Sequence, residues 1–358
     1  MRLKVNTKKL QDMVSKAMKC ASCVGDIPLT GMLALELKEG KLTVTTTDEN
    51  TYLYLTEDCT GDDFYVVVDV AIFSKLISKI TSEDVEMKVV NGTLEIKGNG
   101  NYTLELPYDG EGELVKFPDV RSKLTDGDTV KMSLSTLKMI HATAGASLDT
   151  TKGYHGCYTG YYLGEEAITT DSFKVCIVNT KVFDKPVLVT ATTMDMIELL
   201  SGEEIEVTKN DKYIMFKSDR CTVFSQLMPY LDDFQVDAIK KVVQLDTNAS
   251  CIVDKATLLG VLDRLSLFVT KMDENGIYIT FRNSEMQIAS KQTDGVEVIE
   301  YRESIATDEF TCCVDIEKFT SQVKSVLADT VEIFFGKSEI LKIEDGNITK
   351  VIALFDEE

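Results

Sequence analysis

The sequence contains no tryptophan, only two histidines and only five prolines among its 358 residues. With His141 and His155 as the only imidazoles, a catalytic or metal centre built from several histidines is nearly excluded. No apolar run approaches the roughly 20 residues of a membrane-spanning helix, and residues 1–6 lack the apolar stretch of a signal peptide. We therefore expect a cytoplasmic protein with no membrane partner, whose nine cysteines are reduced.

The composition is that of a globular protein, with 44% hydrophobic and 27% charged residues. The length predicts two or three domains, each able to bury a core. The 38 basic and 59 acidic residues give a net charge of −21. This charge excludes a protein that coats nucleic acid or an anionic membrane with its whole surface, although a local basic surface is still allowed.

A short pattern recurs six times: an apolar residue, a helix-capping residue, three variable positions and a large apolar residue. The capping residues are Asn6, Asp69, Ser133, Thr190, Asp254 and Asp315, and successive ones lie 57–64 residues apart. Their side-chain oxygens accept hydrogen bonds from the first turn of a helix, so each copy predicts a strand that leads into a helix. Alternating segments with turns such as Asn91-Gly92 follow the predicted helices. Each unit of about sixty residues is therefore predicted to contain one helix and several antiparallel strands.

One helix covers only part of a sheet, so we expect the units to pair. Similar strand endings at 45–48 and 168–171, and polar stretches at 121–128 and 246–250, predict three domains. Their boundaries are 1–122, 123–245 and 246–358. The predicted fold class is α+β, with three similar domains that each pack two helices on antiparallel sheets. A series of unrelated α+β domains with coincident capping residues is the alternative.

Positive charge is concentrated in the predicted helices. The six helix segments hold 11 basic and 8 acidic residues, against 38 and 59 in the whole chain. Lys8, Lys16 and Lys19 lie on the polar face of the first helix, and Lys75 and Lys79 lie one turn apart on the second. If these helices share one surface, that surface can face phosphates without reading bases. A solvated helix face is the other interpretation.

Several segments, in their order and spacing, resemble the bacterial DNA polymerase III β subunit, the sliding clamp. They are Leu3-Lys4-Val5, Ile27-Pro28-Leu29-Thr30-Gly31-Met32-Leu33, Leu42 to Asp48, Thr169 to Val175, and Val351 to Phe355. The resemblance covers the whole chain. It implies three clamp domains in each chain and two chains joined head to tail in a ring, with helices lining the hole.

The implied function is to encircle duplex DNA without sequence specificity and to tether a polymerase and other replication or repair partners. The resemblance implies no catalysis and no cofactor, and it implies a clamp loader that opens the ring and binds through a linear peptide motif. Two other interpretations are open. One is a clamp-like interaction protein of phage or mobile-element type that binds replication proteins without encircling DNA. The other is an enzyme with a carboxylate or cysteine centre.

The resemblance also assigns site residues. For DNA it adds Lys152, in the loop 148–153, to the predicted DNA-binding lysines of the helices, Lys8, Lys19, Lys75, Lys79 and Lys138, and it places Val24 where the family has a loop arginine. The predicted partner-peptide pocket consists of Tyr154, Thr170, Ser172, Phe173, Lys174, Val175, Phe234, Val236, Val351, Leu354 and Phe355. The predicted dimer interface contains Tyr102, Leu104, Leu267 and Phe268.

The chain departs from the family pattern around the predicted pocket. Ser172-Phe173-Lys174 replaces a common Gly-His-Arg, Asp232 replaces a proline, and Ala353-Leu354-Phe355 replaces Met-Pro-Met. The acidic tail 356–358 adds negative charge. We therefore expect the pocket to prefer different peptides. The pair Cys20 and Cys23 has the spacing of half a zinc site, but without a second pair we expect structural or surface thiols and no metal.

Overall fold

A computed structural model describes residues 2–21, 28–154, 156–270, 275–291, 295–305 and 309–355. Val24, Cys23, His155 and the tail 356–358 lie outside these residues. Within the described ranges the chain combines seven α-helices with antiparallel sheets, which confirms the predicted α+β class. The helices are α1 Thr7–Ala17, α2 Val70–Lys79, α3 Leu134–Ala144, α4 Ala191–Ile197, α5 Val236–Val243, α6 Lys255–Leu265 and α7 Ile316–Lys324.

The strands of the first half of the chain are β1 Arg2–Asn6, β2 Met32–Lys38, β3 Lys41–Thr47, β4 Thr51–Asp58, β5 Thr60–Gly61, β6 Phe64–Asp69, β7 Asp84–Val90, β8 Thr93–Lys97, β9 Asn101–Glu105, β10 Asp128–Ser133, β11 Gly160–Leu163, β12 Ala167–Thr170 and β13 Lys174–Val178. Those of the second half are β14 Val187–Thr190, β15 Glu204–Lys209, β16 Tyr213–Lys217, β17 Cys221–Gln226, β18 Ala249–Asp254, β19 Gly276–Phe281, β20 Glu285–Ser290, β21 Val296–Glu300, β22 Glu303–Ile305, β23 Phe310–Asp315, β24 Thr330–Phe335, β25 Ile340–Asp345 and β26 Ile348–Ala353.

The six predicted capping residues each end a strand that leads directly into a helix. The Asn6 side chain accepts hydrogen bonds from the Lys8 and Lys9 amides at 3.1 and 3.3 Å. Asp69, Asp254 and Asp315 each accept from the amide three residues later, at 2.8–2.9 Å. These bonds satisfy amides that have no partner inside the helix. The local prediction of six strand-to-helix starts is confirmed.

A three-stranded meander follows each of the six capped helices. Asn91 and Gly92 form the turn between β7 and β8 with φ values of 47° and 78°, the left-handed backbone that the Asn-Gly pair predicted. The seventh helix, α5, has no counterpart in the repeat. It is short, and only Ile239 is buried along it, so the sequence offered little periodicity from which to predict it.

The chain divides into two compact units, and each combines parts of the sequence that are far apart. Unit 1 comprises Met1–Lys138 and Thr192–Leu227. It contains a five-stranded sheet, in the order β5-β1-β7-β8-β9, and an eight-stranded sheet, in the order β10-β15-β16-β17-β4-β3-β2-β6. Helices α1 and α2 pack beside each other in this unit.

Unit 2 comprises Met139–Ala191 and Met228–Glu358. Its nine-stranded sheet has the order β14-β11-β12-β13-β26-β25-β24-β18-β22, and its four-stranded sheet has the order β21-β20-β19-β23. Helices α6 and α7 pack together over a core that includes Leu258, Phe281 and Phe319. The units follow the continuous sheets, whereas the boundaries 1–122, 123–245 and 246–358 follow the repeat; the latter stay a prediction.

Candidate functional site

The turn between β12 and β13 in unit 2 contains four of the predicted pocket residues. The Thr170 hydroxyl donates to the Lys174 carbonyl at 2.7 Å, and Asp171 Oδ1 accepts from the Phe173 and Lys174 amides at 2.9 and 2.6 Å. Ser172 has a φ of 74°, a left-handed backbone that these surrounding bonds hold in place. The turn is therefore rigid, and it presents the Phe173 side chain, which is 55% exposed.

Phe173 is linked to two other elements of unit 2. The Lys318 ammonium lies 4.1 Å from the centre of the Phe173 ring, which is a cation–π contact. The Phe173 carbonyl accepts a hydrogen bond from the Ala353 amide at 2.8 Å, at the end of β26. An exposed aromatic ring with one face held by a cation can offer its other face to an apolar side chain.

Lys174 does not provide a charge at the surface. Its residue is only 9% exposed. Its ammonium donates to the Ala146 carbonyl at 2.7 Å and lies 3.4 Å from Asp171. The Gln322 amide donates to the same carbonyl at 3.2 Å. Lys174 therefore stabilises the pocket turn from inside.

Next to this turn lies an apolar cluster that brings together Val175, Phe234 and Val351, with Val236 packed against it. Phe234 stacks on Tyr162, with ring centres 5.2 Å apart, and meets Tyr158 edge-on at 5.5 Å. Burial raises the pKa of both tyrosines, so their hydroxyls stay neutral at physiological pH. Val175, Phe234 and Val351 are themselves buried, so the part of this uncharged cluster that can meet an apolar side chain consists of its half-buried members, such as Tyr158, Tyr162 and Val236.

The remaining predicted pocket residues lie around this cluster in different ways. Tyr154 is 40% exposed. Leu354 packs against the core that contains Phe281 and Phe319, and the Phe355 amide donates to the Cys313 carbonyl at 2.9 Å. The structure therefore groups Val175, Phe234, Val236 and Val351 tightly and connects Leu354 and Phe355 to the neighbouring core.

The sequence analysis missed four residues of this region, namely Tyr158, Tyr162, Ile239 and Lys318. Ile239 lies three residues after Val236, a helical spacing that was a usable signal. Tyr162 lies on β11 and Tyr158 lies just before it, and their large aromatic side chains were a usable signal. Lys318 gave no local signal, because its contact with Phe173 joins residues far apart in sequence.

The predicted DNA-binding lysines of unit 1 fall into two groups. Lys8, Lys19, Lys75 and Lys79 are exposed, and none of them forms an ion pair with a described residue. Between α1 and α2 lies a groove of about 430 Å³, whose lining includes Lys75, Ser15, Ser74 and Ser78. The Ser74 and Ser78 hydroxyls donate to the Ala71 and Lys75 carbonyls, at 3.3 and 2.9 Å. Ammonium and hydroxyl groups are the donors that contact phosphate.

Lys138 belongs to the second group because it has partners within the protein. Its ammonium donates to the carbonyls of Glu198 and Leu200, each at 3.2 Å, just after α4. It also lies 4.0 Å from the Glu198 carboxylate. Lysine near a helix C-terminus neutralises the exposed carbonyls there. In unit 2, Lys152 is exposed in the loop after α3.

The corresponding groove between α6 and α7 in unit 2 has the opposite electrostatic character. It has a volume of about 370 Å³, and its lining includes Asp263, Glu317 and Lys324. Two carboxylates face one ammonium there, whereas no carboxylate lines the groove between α1 and α2. Positive charge is thus concentrated on the first helix pair.

Two of the predicted interface residues lie on a sheet edge, and the other two lie in the 3-10 turn that follows α6. Tyr102 and Leu104 are on β9, an edge of the five-stranded sheet, and Tyr102 is 36% exposed. Leu267 and Phe268 follow α6 and are 81% and 48% exposed. The edge strand β21 adds two half-exposed valines, Val296 and Val298, which the sequence analysis missed despite their alternation with glutamates. Exposed apolar residues on sheet edges are typical of strand-pairing interfaces.

No helix within the described ranges is long and apolar enough to span a bilayer. Burial raises the pKa of the Cys20 thiol to about 12, which is typical of an inert structural cysteine.

Residues 1–111 match the family model of the DNA polymerase III beta subunit, N-terminal domain. The whole chain aligns with the whole of DNA polymerase III subunit beta from Borrelia burgdorferi, with a TM-score of 0.87 and 17% identity. The DNA polymerase sliding clamp of Bacillus subtilis aligns with a TM-score of 0.84 and 16% identity. The DNA polymerase III subunit beta of Pseudomonas aeruginosa aligns with a TM-score of 0.82 and 12% identity, and both alignments cover the full length of both chains. No curated protein matches the chain in sequence. The predicted resemblance to this family is confirmed, and at these identities the solved structures establish a shared fold.

Proposed function

We propose that this chain, which resembles the DNA polymerase III β subunit in its first 111 residues and has the clamp fold throughout, is a DNA sliding clamp. Two copies form a closed ring around duplex DNA. The ring tethers a DNA polymerase and other replication or repair partners, and it catalyses no reaction itself. A topological link needs no tight contact, so a protein with a net charge of −21 can remain on DNA.

The order of strand pairing between repeats carries this proposal. Number the six repeats by their capped helices α1, α2, α3, α4, α6 and α7. The third meander strand of repeat 1, β4, pairs with the third meander strand of repeat 4, β17, and that of repeat 3, β13, pairs with that of repeat 6, β26. We call these two pairings, β4 with β17 and β13 with β26, the junctions. Each junction joins one repeat to the third repeat after it.

The third meander strands of repeats 2 and 5 have no partner of this kind within the described chain. The third meander strand is β21 in repeat 5 and β9 in repeat 2, and both are sheet edges among the described strands. The third repeat after repeat 5 is the second repeat of a following chain. Pairing β21 of one chain with β9 of the next satisfies the rule, and two such head-to-tail contacts close a dimer.

The surface for DNA is the first helix pair. Lys8, Lys19, Lys75 and Lys79 supply ammonium groups that have no ion-pair partner among the described residues. Lys152 adds a further cation from unit 2, whereas Lys138 contributes little because the carbonyls after α4 occupy it. Contacts made through a few exposed lysines are weak and independent of sequence, which permits sliding.

The surface for partners is the apolar cluster beside Phe173. The rigid turn at Thr170–Lys174 and the residues Val175, Phe234 and Val351 form a site for a short linear peptide with apolar anchors. A polymerase and a clamp loader that carry such a peptide would compete for this site.

Retention on nicked circular and linear duplex DNA of the same sequence tests the function. The protein is loaded on both by a clamp loader, and the bound fraction is followed during a wash at 0.5 M salt. We expect loss from the linear DNA only, because the ring slides off free ends. Equal, salt-sensitive loss from both forms would contradict encirclement and favour an interaction protein that binds partners without enclosing DNA.

A further inference from the structure

Two sheets of this protein contain equivalent rows of residues that face each other from strand to strand. In the eight-stranded sheet of unit 1 the row is Val130, Val207, Phe216, Val223, Leu53 and Thr46. In the nine-stranded sheet of unit 2 it is Cys251, Ile333, Ile343, Lys350, Cys176 and Thr169. Each row crosses the junction between two repeats at its fourth and fifth members, Val223–Leu53 and Lys350–Cys176.

The helix caps show that the two rows occupy the same place in the repeat. Val130 and Cys251 each lie three residues before a cap, Ser133 and Asp254. At the other end, the hydroxyls of Thr46 and Thr169 donate to the last residue of α1 and of α3, at 2.8 and 2.6 Å. The antiparallel registers carry each row on to the residue just before the next cap, Val68 and Val189.

A third row starts in the five-stranded sheet of unit 1 and stops at its edge. It begins at Leu3, three residues before the cap Asn6, and continues through Met87 and Ile96 to Tyr102 on β9. Tyr102 therefore occupies the fourth position, which Val223 and Lys350 occupy in the complete rows. No described residue pairs with it from the far side.

The missing half of that row is present in the four-stranded sheet of unit 2. It begins at Val314, just before the cap Asp315, and passes through Ile277 to Ser290. The Ser290 amide donates to the Gly295 carbonyl at 3.0 Å, which extends the ladder between β20 and β21 by one pair. Gly295 therefore occupies the fifth position, which Leu53 and Cys176 occupy in the complete rows.

We infer that the ring contact, which rests on the proposed homodimer, has one defined register, with Tyr102 of one chain opposite Gly295 of the other. The neighbouring pair is then Asn101 opposite Val296. This register repeats that of both internal junctions, so a single geometry joins all of the repeats. Leu267 and Phe268, at the end of α6, lie beside the new junction.

The sizes of the paired side chains fit this register. The complete rows place leucine opposite valine and cysteine opposite lysine, whereas the third places the large tyrosine opposite a residue with no side chain. A Cβ on Gly295 would lie 3.2 Å from Leu265 Cδ2 and 3.3 Å from Phe268 Cγ, which leaves little room for one. Tyr102, which is 36% exposed, can fill the space over Gly295 and complete the packing.

Cysteine cross-linking of the full chain tests the register. Asn101 and Val296 are exposed, so Asn101→Cys with Val296→Cys leaves the cores unchanged. The matched control is Asn101→Cys with Val298→Cys, which reports a register shifted by two residues on the same face. Under mild oxidation we expect the first variant to form covalent dimers at least about tenfold faster than the second, because only directly opposite residues approach to disulfide distance.

Sedimentation measurements on the unmodified chain and on Tyr102→Ala separate the register from the proposed function. We expect Tyr102→Ala to raise the dimer dissociation constant by about 10- to 100-fold, whereas Thr103→Ala on the opposite face has little effect. A stable dimer in which only the shifted pair cross-links, or neither pair does, would overturn the register and leave the clamp function standing. A chain that stays monomeric at every concentration would overturn both.

Discussion

Two buried threonines fix helix ends in the same way in separate repeats, and their replacement by valine should destabilise the protein. The Thr46 hydroxyl donates to the Ala17 carbonyl at 2.8 Å, and the Thr169 hydroxyl donates to the Ala144 carbonyl at 2.6 Å. Both threonines are 0% exposed. Valine keeps the shape and removes the donor, so the substitution isolates one hydrogen bond.

The expected loss follows from the partners that remain. The Ala17 carbonyl also accepts from the Cys20 amide at 3.1 Å, so it keeps one hydrogen bond when Thr46 is replaced. A net loss of about 1 kcal/mol follows for Thr46→Val, and we expect a loss of at least that size for Thr169→Val, which removes the equivalent hydrogen bond. For compact units of this size that corresponds to a fall in melting temperature of about 2–4 °C.

Thermal unfolding followed by circular dichroism or calorimetry measures the effect in Thr46→Val and Thr169→Val. The control is Thr43→Val, whose hydroxyl lies 3.3 Å from that of Thr56 on a half-buried face. We expect the control to change stability by less than about 0.5 kcal/mol. If both buried variants melt at the control's temperature, these contacts do not stabilise the helix ends and the equivalence of the two repeats loses its energetic support.

Three further outcomes are expected. The binding of a short duplex weakens with salt, and Lys75→Glu with Lys79→Glu should reduce the magnitude of the slope of log affinity against log salt by about 2, because two phosphate contacts are lost. Phe173→Ala should lower the affinity for a labelled peptide with leucine and phenylalanine anchors by roughly tenfold, as measured by fluorescence anisotropy, because an exposed aromatic anchor is removed. Asp48→Asn should raise the melting temperature at pH 7 but not below about pH 3.9. Burial raises the pKa of the Asp48 carboxyl, so its ionised form costs stability at neutral pH and the cost vanishes once the unfolded chain is also protonated.

The first two of these substitutions have matched controls. Lys88→Glu with Lys97→Glu makes the same charge change on exposed strand positions and should leave the salt slope unchanged. Tyr108→Ala removes an aromatic ring that is 57% exposed outside the peptide site and should leave peptide affinity unchanged. An equal effect in either control would show that charge or surface hydrophobicity in general, and not the named site, is responsible. For Asp48→Asn, an increase in melting temperature that persists at pH 3 would refute the electrostatic explanation.

The features that the sequence determined are local ones. A capping residue acts on amides two or three positions away, and a helix or strand reveals itself by periodic apolar residues, so six strand-to-helix starts and the α+β class were readable from the chain. The Asn91-Gly92 turn was readable for the same reason, because the left-handed backbone there depends on those two residues themselves.

Contacts between distant residues were decided only by the tertiary structure. The sequence marks Lys138 and Lys174 as cations, but their carbonyl partners come from other elements, so only the fold shows that both are occupied. Strand pairing is equally non-local. Any edge with alternating apolar residues can pair with many others, and the choice depends on which faces must be buried together. For that reason the repeat predicted similar modules, while the joining of β4 to β17 and of β13 to β26, and with it the register left open at Tyr102, emerged only from the folded chain.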